Sequence, residues 1–237
     1  RVDLDSFPGP DNLGPELRSC GAGAAVPASK EVGNMRQKPR KIPEVLTPDE
    51  QSRMLGGLES DSPRHIRNRA LVQLALNTGL RSAELIDLRH RDLDLATGRL
   101  WVRLGKGKKD RGLWINGEAR AALQEWLAYK GVKLKCGANF LPHGHLLTAL
   151  DGVKPICGRW MRKLIARLAD QAGIAKQIHP HTLRHSFATN LLQDTKNLFL
   201  VSKALGHANI SSTMVYLHLV DGELETAMKN LRNGEEK

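Results

Sequence analysis

A chain of 237 residues, with 36 Lys and Arg against 25 Asp and Glu and a formal net charge of +11, is long enough for one substantial core and favours polyanionic partners, nucleic acid first. Its apolar stretches are short and broken by Asn, Arg or Lys, which excludes a membrane span. Three cysteines, Cys20, Cys136 and Cys157, form no CxxC pair, which excludes a disulfide framework and a zinc knuckle and fits a reducing cytoplasmic interior.

Residues 1–34 are rich in Gly, Pro, Ala and Ser, without a sustained apolar period, and read as a tail or linker. No signal-peptide pattern stands at Arg1, and the expectation is a fragment whose upstream part is missing. In MRQKPRKIPEVLTPDE, the cations Arg36, Lys38, Arg40 and Lys41 sit among prolines, an extended strap able to lie along a phosphate backbone.

Regular structure is expected from Thr47, where Thr-Pro-Asp-Glu supplies an N-cap, a first-position Pro and the Glu50 of a capping box, opening a helix to about Leu58. A second helix runs through HIRNRALVQLALNTG and should end at Gly79 in a left-handed conformation; a short third starts at Ser82. From Asp92 the period changes to two, in LDL, RLWVRL and RGLWI separated by ATG and GKGKKD, which predicts a small three-stranded antiparallel sheet. GEARAALQEWLAYK is helical, 131–153 irregular, and helices are expected over 157–173, 181–194, 197–206, 211–219 and 222–232. The fold class is therefore mainly α with a small three-stranded antiparallel β-sheet.

Four segments carry candidate chemistry. In TGLRSAELIDL, Arg81 opens a helix, where a cation opposes the helix dipole, and Glu84 lies one turn on, within reach of its guanidinium. In RLGKGKKDRGLWI, Lys106 occupies a glycine-flanked hairpin tip with Lys108, Lys109 and Arg111, a surface suited to phosphate contact. In HPHTLRHSFATNLL, His181 and Arg184 share one face at a helix start, where backbone N–H groups attract an anion. His179 and His185 add imidazoles, but no acidic ligand or general-base Glu lies between them, so no metal is expected. In ALGHANISSTMVYLH, His207 closes one helix and Tyr216 lies in the next, with Ser211, Ser212 and Thr213 available as caps. The other tyrosine, Tyr129, sits on an amphipathic helix beside Trp126; spacing alone does not choose between the two.

Together and in this order, TGLRSAELIDL, GKGKKDR, HTLRHSFAT and LGHANISSTMVYLH resemble the tyrosine recombinase (phage integrase) family, in particular its Xer-like and integron-like branches, over about residues 36–232. The resemblance implies the family's catalytic-domain fold for residues 44–237, preceded by a tail and interdomain linker over 1–43 without the usual core-binding domain. It also implies a site-specific DNA recombinase of a mobile element that needs no metal, cofactor or ATP. Arg81, Lys106, His181, Arg184 and His207 would surround the scissile phosphate, supported by Glu84. Tyr216 would attack it, leaving a 3′-phosphotyrosyl bond and a free 5′-hydroxyl. Double-stranded DNA is the implied partner, in a bacterial or archaeal cytoplasm. The implied assembly is a homotetramer on paired sites through 222–232, and a monomer without DNA. Two other outcomes share these features: a weakly catalytic or accessory DNA-binding protein, and a type IB topoisomerase-like activity.

Overall fold

The computed structural model describes residues 43–103, 110–132, 142–207 and 209–219, which all fall in the compact unit Arg40–Lys237. The strap of Arg36, Lys38, Arg40 and Lys41, the hairpin tip with Lys106, Lys108 and Lys109, and the segment 222–232 lie outside the described residues.

Helix α1 (Pro48–Gly56) begins with the expected reciprocal cap: the Glu50 N–H donates to Thr47 Oγ1 at 3.2 Å, and the Thr47 N–H donates to Glu50 Oε2 at 2.8 Å. It ends at Gly56, two residues short of the expected limit. Helix α2 (Pro63–Thr78) is buried on most of its faces: Ile66, Ala70, Leu71, Val72, Leu74 and Ala75 are covered, and so are the polar Arg67, Asn68 and Thr78. A helix covered on that many faces lies inside a helical layer rather than on its surface. It packs against α4 (Gly117–Val132) and α6 (Pro180–Thr195).

Gly79 ends α2 at φ 58°, and a Cβ there would lie 2.3 Å from Cδ1 of Phe187 on α6. Both the left-handed backbone and the close approach of α6 require glycine. Gly79→Ala is expected to lower the unfolding free energy by at least about 1–2 kcal/mol from the backbone alone. Displacement of Phe187 adds to that loss; urea titration of the variant measures the sum.

Helix α3 (Ser82–Asp87) follows, then the sheet, β1 (Leu93–Asp94), β2 (Arg99–Val102) and β3 (Arg111–Trp114), antiparallel in the order β1-β2-β3. Leu100 pairs with Leu113 and Val102 with Arg111. Leu100, Val102 and Leu113 turn into the core while Trp101 and Trp114 stay exposed, the period-two pattern the sequence predicts. After α4, residues 142–156 are irregular but anchored: Trp126 Nε1 donates to the Leu146 carbonyl at 3.0 Å, and His145 bridges to Arg89.

The remaining elements are α5 (Gly158–Gln171), α6 and α7 (Leu198–Leu205). The helix expected over 211–219 takes a different form, two 3₁₀ segments at Ile210–Ser212 and Met214–Leu219, and the cap is Asn209, whose Oδ1 accepts from the Ser211 N–H, rather than a hydroxyl. One main core surrounds α2; a smaller one gathers Ala188, Leu192, Val201, Leu205 and Tyr216 between α6, α7 and the last 3₁₀ segment. Among the described residues no helix is long and apolar enough to cross a membrane.

Candidate active site

Arg81 is the N-cap of α3, a position where its guanidinium gains nothing from the helix. Glu84 holds it: the Arg81 N–H donates to Glu84 Oε2 at 2.8 Å, and Arg81 Nη1 donates to Oε1 at 3.1 Å. The Arg81 side chain remains 41 % exposed, at the rim of the cluster.

Arg111, expected on the DNA-facing hairpin, turns inward from β3. Its side chain is only 9 % exposed and forms a bidentate pair with Glu84, with Nη1 to Oε1 at 3.0 Å and Nη2 to Oε2 at 2.8 Å. Its Nε donates to the Ala204 carbonyl at 3.0 Å. The guanidinium passes beside Gly206, the left-handed cap of α7, where a Cβ would meet Nη1 at 2.8 Å. Arg111 thus ties the sheet to α3 and α7. Burial pushes the Glu84 carboxyl up, but the Arg111 bond, the Arg81 N–H and both positive charges outweigh it and hold the group below its usual range.

Arg184, buried on the second turn of α6, joins two helix ends: Nη1 donates to the Gly79 carbonyl at 2.7 Å and Nη2 to the Leu205 carbonyl at 2.9 Å. Nη2 also lies 3.1 Å from His207 Nε2. A guanidinium only donates, so Nε2 accepts; the proton of the neutral ring is then on Nδ1, which donates to Thr213 Oγ1 at 2.8 Å. Burial first, then the charges of Arg184, Arg81 and Arg111, push His207 down to about 4. Burial and the nearby Arg81 likewise lower Arg184 to about 10, where it is still charged at neutral pH.

His207 therefore makes folding pH-dependent. Its folded value of about 4 lies below the ordinary 6.5, so between those values the unfolded chain takes up a proton that the folded chain refuses. Half-buried His90, also pushed down to about 4 by burial and the Lys130 charge, acts in the same window and with the same sign. Melting temperature is expected to be level above pH 6.5 and to fall as pH drops toward 4, with a shallower fall in His207→Gln.

Tyr216 is 2 % exposed, its ring packed in the smaller core. Its hydroxyl lies 2.6 Å from Nδ1 of His185, whose ring centroid is 5.8 Å away. Burial raises Tyr216 to about 12 against the opposing pull of Arg184. His185 is lowered by burial, then by His181 and Arg184.

His181 is exposed on the first turn of α6 and lines an open cleft of about 610 Å³ with His179, Thr182, Gln177 and His185. The described residues thus bring Arg81, Glu84, Arg184, His207 and Tyr216 into one electrostatically coupled cluster, with His181 at the adjoining cleft. His185 and Thr213 are the residues that sequence reasoning missed. The signal for His185 was its place one helical turn after His181, on the same face. Among the described residues no group of three or more His, Cys, Asp or Glu is arranged to hold a metal ion.

The profile of the Phage integrase family matches residues 44–223. The tyrosine recombinase XerC of Halalkalibacterium halodurans is 38 % identical over 187 residues, 78 % of this chain and 61 % of that protein. The chain therefore spans less than two thirds of that relative. Among solved structures, XerA recombinase superposes with a TM-score of 0.67 at 29 % identity, covering 85 % of this chain and 67 % of XerA. The XerH site-specific recombinase bound to palindromic difH substrate, in a post-cleavage complex, gives 0.65 at 29 % identity over 79 % of this chain and 53 % of XerH.

Proposed function

This chain belongs to the phage integrase family, and from that premise we propose that it is the catalytic domain of a tyrosine-type site-specific recombinase acting on double-stranded DNA. The observation that carries this reading is a buried phenol, Tyr216, beside a cationic cluster held by one carboxylate. A phosphodiester bears one negative charge, and attack places a second on its non-bridging oxygens; fixed guanidiniums stabilise that state more than the ground state. Arg81 at the rim and Arg184 behind it fill that role. In the present arrangement His207 orients Arg184, since its Nε2 accepts from the guanidinium; His181, at the cleft, is placed to meet the phosphate from the start of α6.

In the proposed reaction Tyr216 Oη bonds to phosphorus as the bond to the 5′-oxygen breaks. Lys106 protonates the departing oxygen, and the products are a 3′-phosphotyrosyl ester and a free 5′-hydroxyl. The ester retains the energy of the bond it replaces, so a 5′-hydroxyl from another strand reverses the step without ATP. Arg36, Lys38, Arg40, Lys41, Lys108 and Lys109 supply contacts to the DNA backbone. Protomers, monomeric without DNA, pair as a tetramer on two duplexes through 222–232, in the cytoplasm.

A pool of nicked duplexes with randomised arms tests this reading. Incubated with the chain in EDTA and without ATP, it is expected to yield a denaturation-resistant protein–DNA adduct and a free 5′-hydroxyl end. Recovery of adduct only with added metal or ATP contradicts the proposed chemistry.

A further inference from the structure

Resting on the recombinase reading, we infer that His185 is the catalytic proton acceptor for Tyr216: its Nδ1, 2.6 Å from the hydroxyl, takes the phenol proton as Oη turns to phosphorus.

Geometry comes first. A general base must lie within about 2.6–3.2 Å of the atom it deprotonates, and the hydrogen bond that the structure gives the Tyr216 hydroxyl is to His185. The other imidazole of the cluster is engaged at both nitrogens: His207 Nε2 accepts from Arg184 and Nδ1 donates to Thr213. His207 has no lone pair left for the phenol.

His185 is also held where its job requires. It stands on the second turn of α6, a regular 16-residue helix, adjacent to Arg184, whereas Tyr216 sits on a 3₁₀ segment, a form with poorer hydrogen-bond geometry. The ring is half-buried and lines the open cleft with His179 and His181, so a proton received from Tyr216 has a route to solvent. With burial, His181 and Arg184 all disfavouring the charged ring, His185 enters the reaction neutral, with a lone pair for the proton.

The balance of the step is simple. The O–H bond of Tyr216 breaks and an N–H bond forms at His185 Nδ1; the electron pair left on Oη forms the bond to phosphorus, and the pair of the P–O5′ bond leaves with the 5′-oxygen. Religation runs the same transfer backwards, and His185 returns the proton to the departing phenolate.

Single-turnover cleavage of a duplex recovered by the wild-type chain tests this. His185→Gln keeps an amide able to hydrogen-bond the hydroxyl but removes the basic nitrogen, and is expected to slow adduct formation about 10²-fold or more. His185→Ala is expected to lose as much and to regain rate with added imidazoles, rising with their basicity. That response separates proton transfer from a packing role. A His185→Gln rate within about threefold of wild type, or above it, overturns the assignment, since the bond would then only park the phenol. The recombinase reading fails separately, if the wild-type chain forms no adduct or Tyr216→Phe still forms one.

Discussion

Glu84→Ala is expected to lower the unfolding free energy by about 3–5 kcal/mol, the range for removing one partner of a buried ion pair. Glu84 and Arg111 are 7 % and 9 % exposed, so little water reaches the guanidinium once its carboxylate is gone. The loss is larger than for an isolated pair because one carboxylate also receives the backbone N–H and guanidinium of Arg81. The stabilisation also depends on pH. The folded value of Glu84 is depressed, so its contribution is complete above the ordinary carboxylate range and disappears as pH falls through the folded value. Urea titration of Glu84→Ala, Arg111→Met and the double variant measures the coupling. The double variant is expected to be more stable than the sum of the two losses predicts, because it leaves no orphaned charge. Additive losses would show that the two side chains do not act as a pair.

Arg184→Ala is the second large effect. It removes charge-assisted bonds to the Gly79 and Leu205 carbonyls and releases His207. Such bonds are worth about 1.5–3 kcal/mol each and are not additive, so a loss on the order of 3 kcal/mol is expected. Cleavage should fall further than stability explains, by about 10²–10³-fold, the cost of removing one donor to a developing oxyanion. Arg184→Lys is not expected to restore either property, because one ammonium lacks the fork that spans two helix ends and an imidazole. Stopped reactions on folded protein, checked by circular dichroism, separate the two losses; a Lys variant with wild-type cleavage would contradict the bridging role.

The features legible in the sequence were those whose causes are local. The Thr47–Glu50 cap, the left-handed Gly79 and the strand alternation at Leu100 and Val102 each depend on residues a few positions apart. Arg81 with Glu84 belongs to the same class, three residues apart on one helix. The inward pairing of Arg111 was not legible because its partner lies 27 residues upstream and its burial depends on Gly206 admitting the guanidinium. From the sequence it is one more cation on a basic hairpin. The segment around Tyr216 was read as α-helix because apolar spacing of three fits a 3₁₀ turn equally well; Asn209, not a serine or threonine, sets its start. His185 escaped because two histidines four apart suggest a metal, whereas the partner that gives His185 its chemistry comes from the far end of the smaller core.

The most direct test of Tyr216 as nucleophile is the mass of the peptide that carries the DNA. The adduct formed on a nicked duplex, digested with nuclease and protease, should place a residual nucleotide on the Tyr216 peptide, and Tyr216→Phe should abolish it. The chain has one other tyrosine, Tyr129, stacked on buried Trp126 at 6.2 Å. A nucleotide on Tyr129 or on a serine, or an adduct that persists in Tyr216→Phe, would contradict the assignment.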